Sequence, residues 1–510
     1  MLLPVVKRGL LPLAGLLLGL APALAQRPGA ETLGNARLPL PPNTPALTLT
    51  LAEQMLVERN LVVLAARRGV DLARAQRLVA NQLPPPTVSI GNTAAQFNET
   101  ARDTFAGARG LGPQNNFNAS LTVVVERGGK RGLRTRLADE NISVAEAQVM
   151  DALRGQIFTL RQNFLAALQA RANLEVALAN RTSLDRTEGL LRRQLRDGAI
   201  PEGDLLRFQA NRVQFEQDVT TNALAYAQNV AALAPLLASD AAAFQAGAGQ
   251  LGAMGLAPEA PAEAPAQRGR AARRGAPAPV AEPPTALRTI LSPVAFDVRG
   301  RFDAGAELGL GRDELAAAVP DRPDVMVALR LAGAAGANRL LAEAARSRDV
   351  TVGAGWTRTR MPQNLPQIGG NLSPTANNQV GLTFSVPIFT SGIVEGNIGV
   401  AAAQQGQVEA QARLALFQAR ADFAGAWAGY EQARALLALY TGGAIARAEE
   451  SYQITERAYL AGGRSLIDVM DALRTLNATR AAANNARFTY LLALAQLEQA
   501  TGVSGIAPKL

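Results

Sequence analysis

Asp468 and Asp471 stand three residues apart on a stretch whose apolar spacing predicts a helix, so their carboxylates share one face. Two acids on one face attract cations and repel each other, and they need basic partners to stay ionised together. Little else in the chain can do chemistry. There is no histidine and no cysteine among the 510 residues. No Ser-His-Asp triad, Cys-His pair or HExxH zinc site can be built, and soft metal ligands are missing. Catalysis through carboxylates alone has no positive support, so the expectation is a non-enzyme with no cofactor and no metal site.

Asp468 also closes a signature that occurs twice. The first copy is Gly198-Ala199-Ile200-Pro201-Glu202-Gly203-Asp204, and the second is Gly462-Gly463-Arg464-Ser465-Leu466-Ile467-Asp468. In each, a glycine precedes the acid by six residues and two apolar residues follow it. The copies lie about half the chain apart, which points to an internal duplication.

The N-terminus reads as a secretory signal. Lys7 and Arg8 precede a short apolar core at 10–20, and Ala23-Leu24-Ala25 is a small-residue cleavage site. Pro12 interrupts that core, which is shorter than the ~20 residues of a spanning helix. The mature chain is expected to start at Gln26, with no N-terminal lipid anchor, since an anchor needs a cysteine. The net charge of +9 comes from arginines scattered along helical stretches with few aromatics, which suits a solvated helix surface better than a nucleic-acid site. No later apolar run reads as a helical membrane span. An exported chain then either stays soluble or crosses a membrane as a β-barrel.

Helical periodicity covers 49–82, 133–196, 204–237, 312–346, 397–460 and 465–501. Strand-like stretches cover 87–97, 118–126, 349–360 and 379–386, with polar loops at 98–117 and 361–378. Each half therefore reads helix, strand, loop, strand, long helix, turn, helix. The expected division is a signal at 1–25, a Pro-rich segment at 26–48, a first repeat at 49–238, an insert at 239–311, a second repeat at 312–502 and a tail at 503–510. Within the insert, 257–284 is Ala/Pro-rich with Arg268, Arg270, Arg273 and Arg274, and cannot build a core.

The strands alternate. Val350, Val352, Ala354 and Trp356 interleave with Thr351, Gly353, Gly355 and Thr357, and Val380, Leu382 and Phe384 with Gly381, Thr383 and Ser385. Leu121, Val123 and Val125 form a third run, and Val88 with Ile90 a fourth. Such alternation suits a barrel wall with lipid outside and water inside. Four strands cannot close, because the smallest barrels have ~8, and open edges cannot face lipid. Other copies of the chain must complete the wall. Two copies give eight strands with a filled interior, and three give twelve with a lumen, which transport favours.

This order of elements resembles the TolC-like outer membrane efflux family over nearly the whole mature chain. Glu126-Arg127-Gly128-Gly129-Lys130-Arg131 is similar to the "LGGKR" element of the CzcC-like heavy-metal branch, with Arg127 where that branch usually has Leu. Val386-Pro387-Ile388-Phe389 and Gly396-Asn397-Ile398-Gly399 resemble its second strand-to-helix junction. The resemblance implies a mostly helical fold with a β-barrel contribution. Two tandem repeats in each of three protomers would form a 12-stranded outer membrane barrel, continued by a long periplasmic helical barrel. It implies a passive channel of a tripartite efflux system, served by a periplasmic adaptor and an inner membrane pump of RND type. Divalent metal ions are the implied substrate, with a multidrug or type I secretion component as the alternative. A periplasmic coiled-coil structural protein is the rival of another class.

By the same resemblance, Tyr459, Arg464, Asp468 and Asp471, with Asp204 in the first copy, form the periplasmic gate. Threefold symmetry would set six carboxylates from Asp468 and Asp471 near one axis, favouring cations. Acids near a helix start are also common for purely structural reasons. Gly198, Gly203, Gly462 and Gly463 form the tip turns. Gly128 and Gly129 let the chain turn from wall to helix, Lys130 and Arg131 sit near lipid headgroups or the periplasmic rim, and Pro387 marks the second junction. A phosphate loop is excluded, because Val124 stands where a Walker motif needs its first glycine.

Overall fold

A computed structural model of the chain describes residues 38–41, 44–93, 115–237, 284–302, 308–361, 375–388 and 390–508. The expected signal and most of the Pro-rich segment, the tips of both polar loops and the Ala/Pro/Arg-rich stretch lie outside the described residues, as does Phe389.

The chain opens with a two-residue strand, β1 (Ala46–Leu47), then helices α1 (Leu49–Arg59) and α2 (Leu61–Ala80). A single helix over 49–82 was expected, and the structure corrects it. Asn60 ends α1, with its N–H on Leu56 O at 3.0 Å, and starts α2, with its Oδ1 accepting from Val62 and Val63 N–H at 3.0 and 3.1 Å. Its Nδ2 donates to Leu236 O at 3.2 Å. Its backbone N–H thus closes α1, while its buried side-chain amide starts α2 and bonds the end of α5.

Strands β2 (Thr87–Thr93) and β3 (Asn115–Val125) follow, then α3 (Lys130–Arg196), α4 (Glu202–Ala231) and a short α5 (Ala234–Leu237). The 67 residues of α3 run unbroken, about 100 Å at ~1.5 Å per residue. After the undescribed stretch come α6 (Pro284–Leu291) and β4 (Asp297–Val298), which pairs in parallel with β1. This part of the insert is core: Leu291, Phe296 and Val298 are fully buried.

The second half begins with α7 (Arg312–Ala318), a 3-10 turn at Val319–Asp321 and α8 (Pro323–Ala344). Strands β5 (Val350–Met361) and β6 (Thr375–Ser385) follow, then α9 (Ser391–Leu439), a π turn at Tyr440–Ala444, α10 (Ile445–Leu460) and α11 (Leu466–Thr501). Two expectations are corrected here. The helix expected over 397–460 starts earlier and breaks at Gly442 and Gly443, the latter at φ +99°. And Arg312–Ala344 holds an 18-residue window of mean hydropathy 1.3, long and apolar enough by composition to cross a membrane. It lies against α3 and α9 as one wall of the helical body.

The element order helix, strand, strand, long helix, helix occurs in both halves. The four long strands form one antiparallel sheet in the order β2-β3-β5-β6. Its register aligns like with like. Ile90 pairs with Ala119, Ala119 with Trp356, and Trp356 with Val380; Val88, Leu121, Ala354 and Leu382 form the next row. One face is therefore apolar across all four strands and solvent-exposed, with Val380 80% and Phe384 70% accessible. The other face carries Ser89, Ser120, Gly355 and Gly381 in one row and Thr87, Thr122, Gly353 and Thr383 in another.

Candidate pore, junction and gate

Where β3 meets α3, Gly128 and Gly129 both adopt left-handed backbone, at φ +77° and +67°. Gly128 is required twice over. A Cβ there would lie 2.7 Å from Ser347 Cβ and 3.1 Å from Ala344 O, on the end of α8. The residues around it cross-link the two halves. Asp349, just before β5, accepts from Lys130 Nζ at 2.8 Å and from Arg127 N–H at 3.0 Å. Partial burial raises the Asp349 pKa, but these donors overcome it and hold the carboxyl below its ordinary value. Arg134 forms a bidentate pair with Glu126 and also reaches Gln82 O at 3.1 Å. Arg131 Nε donates to Asn81 O at 2.7 Å. Lys130 and Arg131 thus bind other parts of the chain. Pro387 lies in the exposed link between β6 and α9, and Gly396-Asn397-Ile398-Gly399 lie inside α9.

At the opposite end of the helices the two turns differ. In the first, Gly198 is left-handed at φ +73°, its N–H meets Leu195 O at 3.1 Å, and Pro201 starts α4. Gly203, expected in the turn, is in the first turn of α4 instead. In the second, Gly462 is left-handed at φ +77°, and Gly462 and Gly463 N–H bond Tyr459 O and Ala458 O at 2.9 and 2.8 Å. Gly463 itself is not left-handed. Ser465 then caps α11. Its Oγ accepts from Asp468 N–H at 3.3 Å, and Asp468 Oδ2 accepts from Ser465 N–H at 3.1 Å.

Asp468 therefore carries the structural duty of a capping box, whatever else it does. Arg464 reaches it only at 4.0 Å. Asp471 is held by a residue that the sequence reading missed: Arg474 contacts it at 3.1 Å and donates to Asn211 of α4 at 2.7 Å. Tyr459 packs on the tip core, and burial, followed by the nearby charge of Asp204, raises its pKa. So the structure sets Tyr459 within the field of Asp204 and Arg464 near Asp468, but gives Asp471 to Arg474. Asp468 and Asp471 remain 42% and 62% exposed and free to meet other charges.

Also unforeseen is a polar cluster above the tip. Glu188 of α3, nearly buried, accepts from Arg192 at 2.7 Å, from Gln209 at 3.0 Å and from Arg212. Arg212 further pairs with Asp185 at 2.6 Å. The four-residue spacing of Glu188 and Arg192 was a legible signal, whereas the contact across to α4 was not. Among the described residues, no group of three or more carboxylates could hold a metal ion.

Residues 316–503 match the outer membrane efflux protein family. The outer membrane protein TolC of Escherichia coli K12 is 29% identical over 134 residues, a match that spans 26% of this chain and 26% of that protein. In overall fold the chain is similar to the Campylobacter jejuni CmeC outer membrane channel, with a TM-score of 0.64 and 16% identity over 92% of this chain and 91% of that one. It is also similar to CusC, a solved structure described in terms of transmembrane channel formation, with a TM-score of 0.61 and 16% identity over 94% and 95% of the two chains. The second half of the chain thus matches the outer membrane efflux protein family, and the described chain as a whole has the fold seen in the CmeC channel.

Proposed function

We propose that this protein is the outer membrane channel of a tripartite efflux system, a passive conduit and not an enzyme. The observation that carries this reading is the sheet. Its apolar face is aligned in register over four strands and exposed, its other face is small and polar, and the outer edges of β2 and β6 are unpaired among the described residues. Such a sheet in lipid must close, and three copies would close it with twelve strands around a lumen. The helices would continue the conduit through the periplasm. The chain then divides into two repeats, 49–238 and 312–502, joined by the insert at 239–311. Adaptor and inner membrane pump are the partners this implies, with energy supplied by the pump.

The tip is the gate in this reading, with Tyr459, Arg464, Asp468, Asp471 and Asp204 around the closure. Gly198 and Gly462 make its turns, and Gly128, Gly129, Lys130 and Arg131 lock the wall to the first long helix. The likeness of residues 126–131 to the heavy-metal branch suggests divalent cations as cargo. The exposed carboxylates suit cation passage.

The test combines membrane fractionation, trimer cross-linking and planar-bilayer conductance. Outer membrane recovery and cation-selective conductance are expected. Asp468→Asn with Asp471→Asn should weaken cation selectivity while leaving the cap geometry of α11 in place. Recovery in the soluble periplasm would instead favour the coiled-coil structural protein.

A further inference from the structure

The apolar face of the sheet ends in arginine where the helices begin. On that face β3 carries Leu121, Val123 and Val125, paired with Ala354, Val352 and Val350 of β5. The register runs on past the last of these pairs. Three residues after Val125 and three before Val350, Gly128 still lies against Ser347, so close that a Cβ would sit 2.7 Å from Ser347 Cβ. Arg127 therefore stands opposite Arg348, one alternation step beyond the Val125–Val350 row on the same face.

Alternation also sorts the charges around this row. Glu126 and Asp349, each one residue nearer the sheet, fall on the other face, where Arg134 holds Glu126 and Lys130 holds Asp349 at 2.8 Å. Arg346 is taken by Glu395 at 3.2 Å. Arg127 and Arg348 are exposed, and among the described residues neither guanidinium has an ion-pair partner. Like charges opposite each other on paired strands repel, and an anion between them turns that cost into a gain. Arg127 is also where this chain departs from the motif that residues 126–131 otherwise resemble.

The dimensions of the face say which anion. The next arginine on it is Arg358 at the far end, opposite Phe117, whose ring meets Trp356 edge-on at 5.6 Å between centroids. Ten residues separate Arg348 from Arg358. At ~3.3 Å each they span about 33 Å of strand, or about 25 Å of height at a barrel tilt of ~40°. That is the height of a lipid-facing apolar band, so the Arg127–Arg348 row lies at one headgroup level, where the anions are lipid phosphates.

We propose that Arg127 and Arg348 clamp the phosphate of an anionic phospholipid in the leaflet on the helix side, and so fix the height of the wall in the membrane. Guanidinium forks match phosphate oxygens, and the long side chains reach the headgroup while their stems lie along the apolar face. A headgroup of net negative charge is preferred to a zwitterionic one, because the acids beside the row are spent on the other face and leave nothing for a headgroup ammonium. The lipid beside the wall rests on the channel reading; the unpaired arginine row does not.

The test titrates full-length protein, stripped of lipid in detergent, with dioleoyl phosphatidylglycerol or dioleoyl phosphatidylcholine and counts bound lipid by native mass spectrometry. Phosphatidylglycerol should bind about tenfold more tightly. Arg127→Gln with Arg348→Gln should erase the preference, and Arg127→Lys with Arg348→Lys should keep part of it. Arg346→Gln, whose parent guanidinium is already taken by Glu395, should leave it unchanged. Equal binding of the two lipids by the parent chain would overturn the clamp without any variant. So would a preference that survives the double glutamine change, or one lost equally in Arg346→Gln. Glycerol 3-phosphate at the same concentration should not displace the lipid; displacement would mark a site for soluble phosphates and overturn the clamp as well. Insertion into vesicles of either lipid separates the two readings. A chain that inserts but shows no lipid preference loses the clamp and keeps the channel, whereas one that inserts into neither loses both.

Discussion

The two long arms of this chain occupy equivalent places in its two halves and are built differently. The first, α3, is unbroken and tied down along its length. Arg154 reaches Gln499 O at 2.6 Å and Asp324 at 3.4 Å, Arg161 pairs with Glu53 and Glu498 at 2.7 Å each, and Arg171 is fully buried against Asp297. The second arm, α9 and α10, is interrupted at Gly443, and its notable buried tie is Arg322, which pairs with its neighbour Asp324 at 2.7 Å and meets Asp422 of α9 at 3.2 Å. Their starts differ too. α3 leaves the sheet through the clamped Gly128-Gly129 turn, while Thr390 gives α9 no side-chain cap. Of two arms in equivalent places, the first is continuous and the second is broken by a π turn.

The largest test of that difference is to remove each buried arginine. Arg171 donates to Asp297 and to Val298 O at 3.0 Å, and so fastens α3 to the β1–β4 pair. Burial works against its charge, yet Asp297 more than compensates and raises its pKa; Tyr226, buried beside them, is raised as well. Arg171→Met leaves Asp297 and Glu175 buried with weaker support and should cost about 3 kcal/mol in thermal unfolding followed by helicity. Asp297→Leu added to it should recover much of that loss. Arg322→Met abandons two acids more exposed than Asp297, Asp422 and Asp324, the latter still held by Arg154, and two carbonyls, Ala419 O and Ala500 O, so about 1–2 kcal/mol is expected. A larger loss at Arg322 would reverse the order of the two arms.

Next come the two left-handed glycines at opposite ends of the arms. Gly128→Ala meets both the backbone penalty and Ser347, and should cost about 2–3 kcal/mol. At Gly462 nothing lies within 4 Å of a Cβ, so Gly462→Ala should cost only the conformational ~1 kcal/mol. Thermal unfolding in detergent checks the order. Equal losses would show that the junction tolerates a shift of the Ser347 turn.

The periodic parts of this architecture were legible because period reports burial directly. Strand alternation located all four long strands within a few residues, and the unbroken α3 followed from its lack of proline. What the sequence hid were places where one polar side chain settles a helix end or crosses between elements. Asn60 looks like any residue of a continuous helix until its amide is seen serving two ends. Ser465 and Asp468 do spell a capping box, but Asp468 reads equally well as a pore acid, and only the geometry shows the cap. Arg474 lies three residues after Asp471, a visible pair; its bond to Asn211 depends on how α4 and α11 pack. The Gly442-Gly443 break gave a signal too, yet glycine is common in this chain's helices and most positions stay helical.

The smallest effect concerns acid, and it separates the tip ends of the two arms. Glu188 on α3 is partly desolvated, which raises its pKa, but Gln209, Arg212 and Arg192 outweigh that and hold it below its ordinary 4.5. A carboxylate depressed on folding contributes stability that is present above the unfolded value and lost as pH falls through the folded one. Between pH 7 and about 5, then, hydrogen exchange at 184–215 should not change on this account, and protection should fall only below about 4.5. Glu188→Gln should lose protection already at pH 7 and differ less from the parent as pH drops, because protonation makes the two alike. On α10 the comparable acid, Glu449, meets Arg480 at 3.4 Å and is 44% exposed, so Glu449→Gln should change exchange at 445–460 little. If both variants respond alike, the first arm is not the more firmly held of the two at the tip.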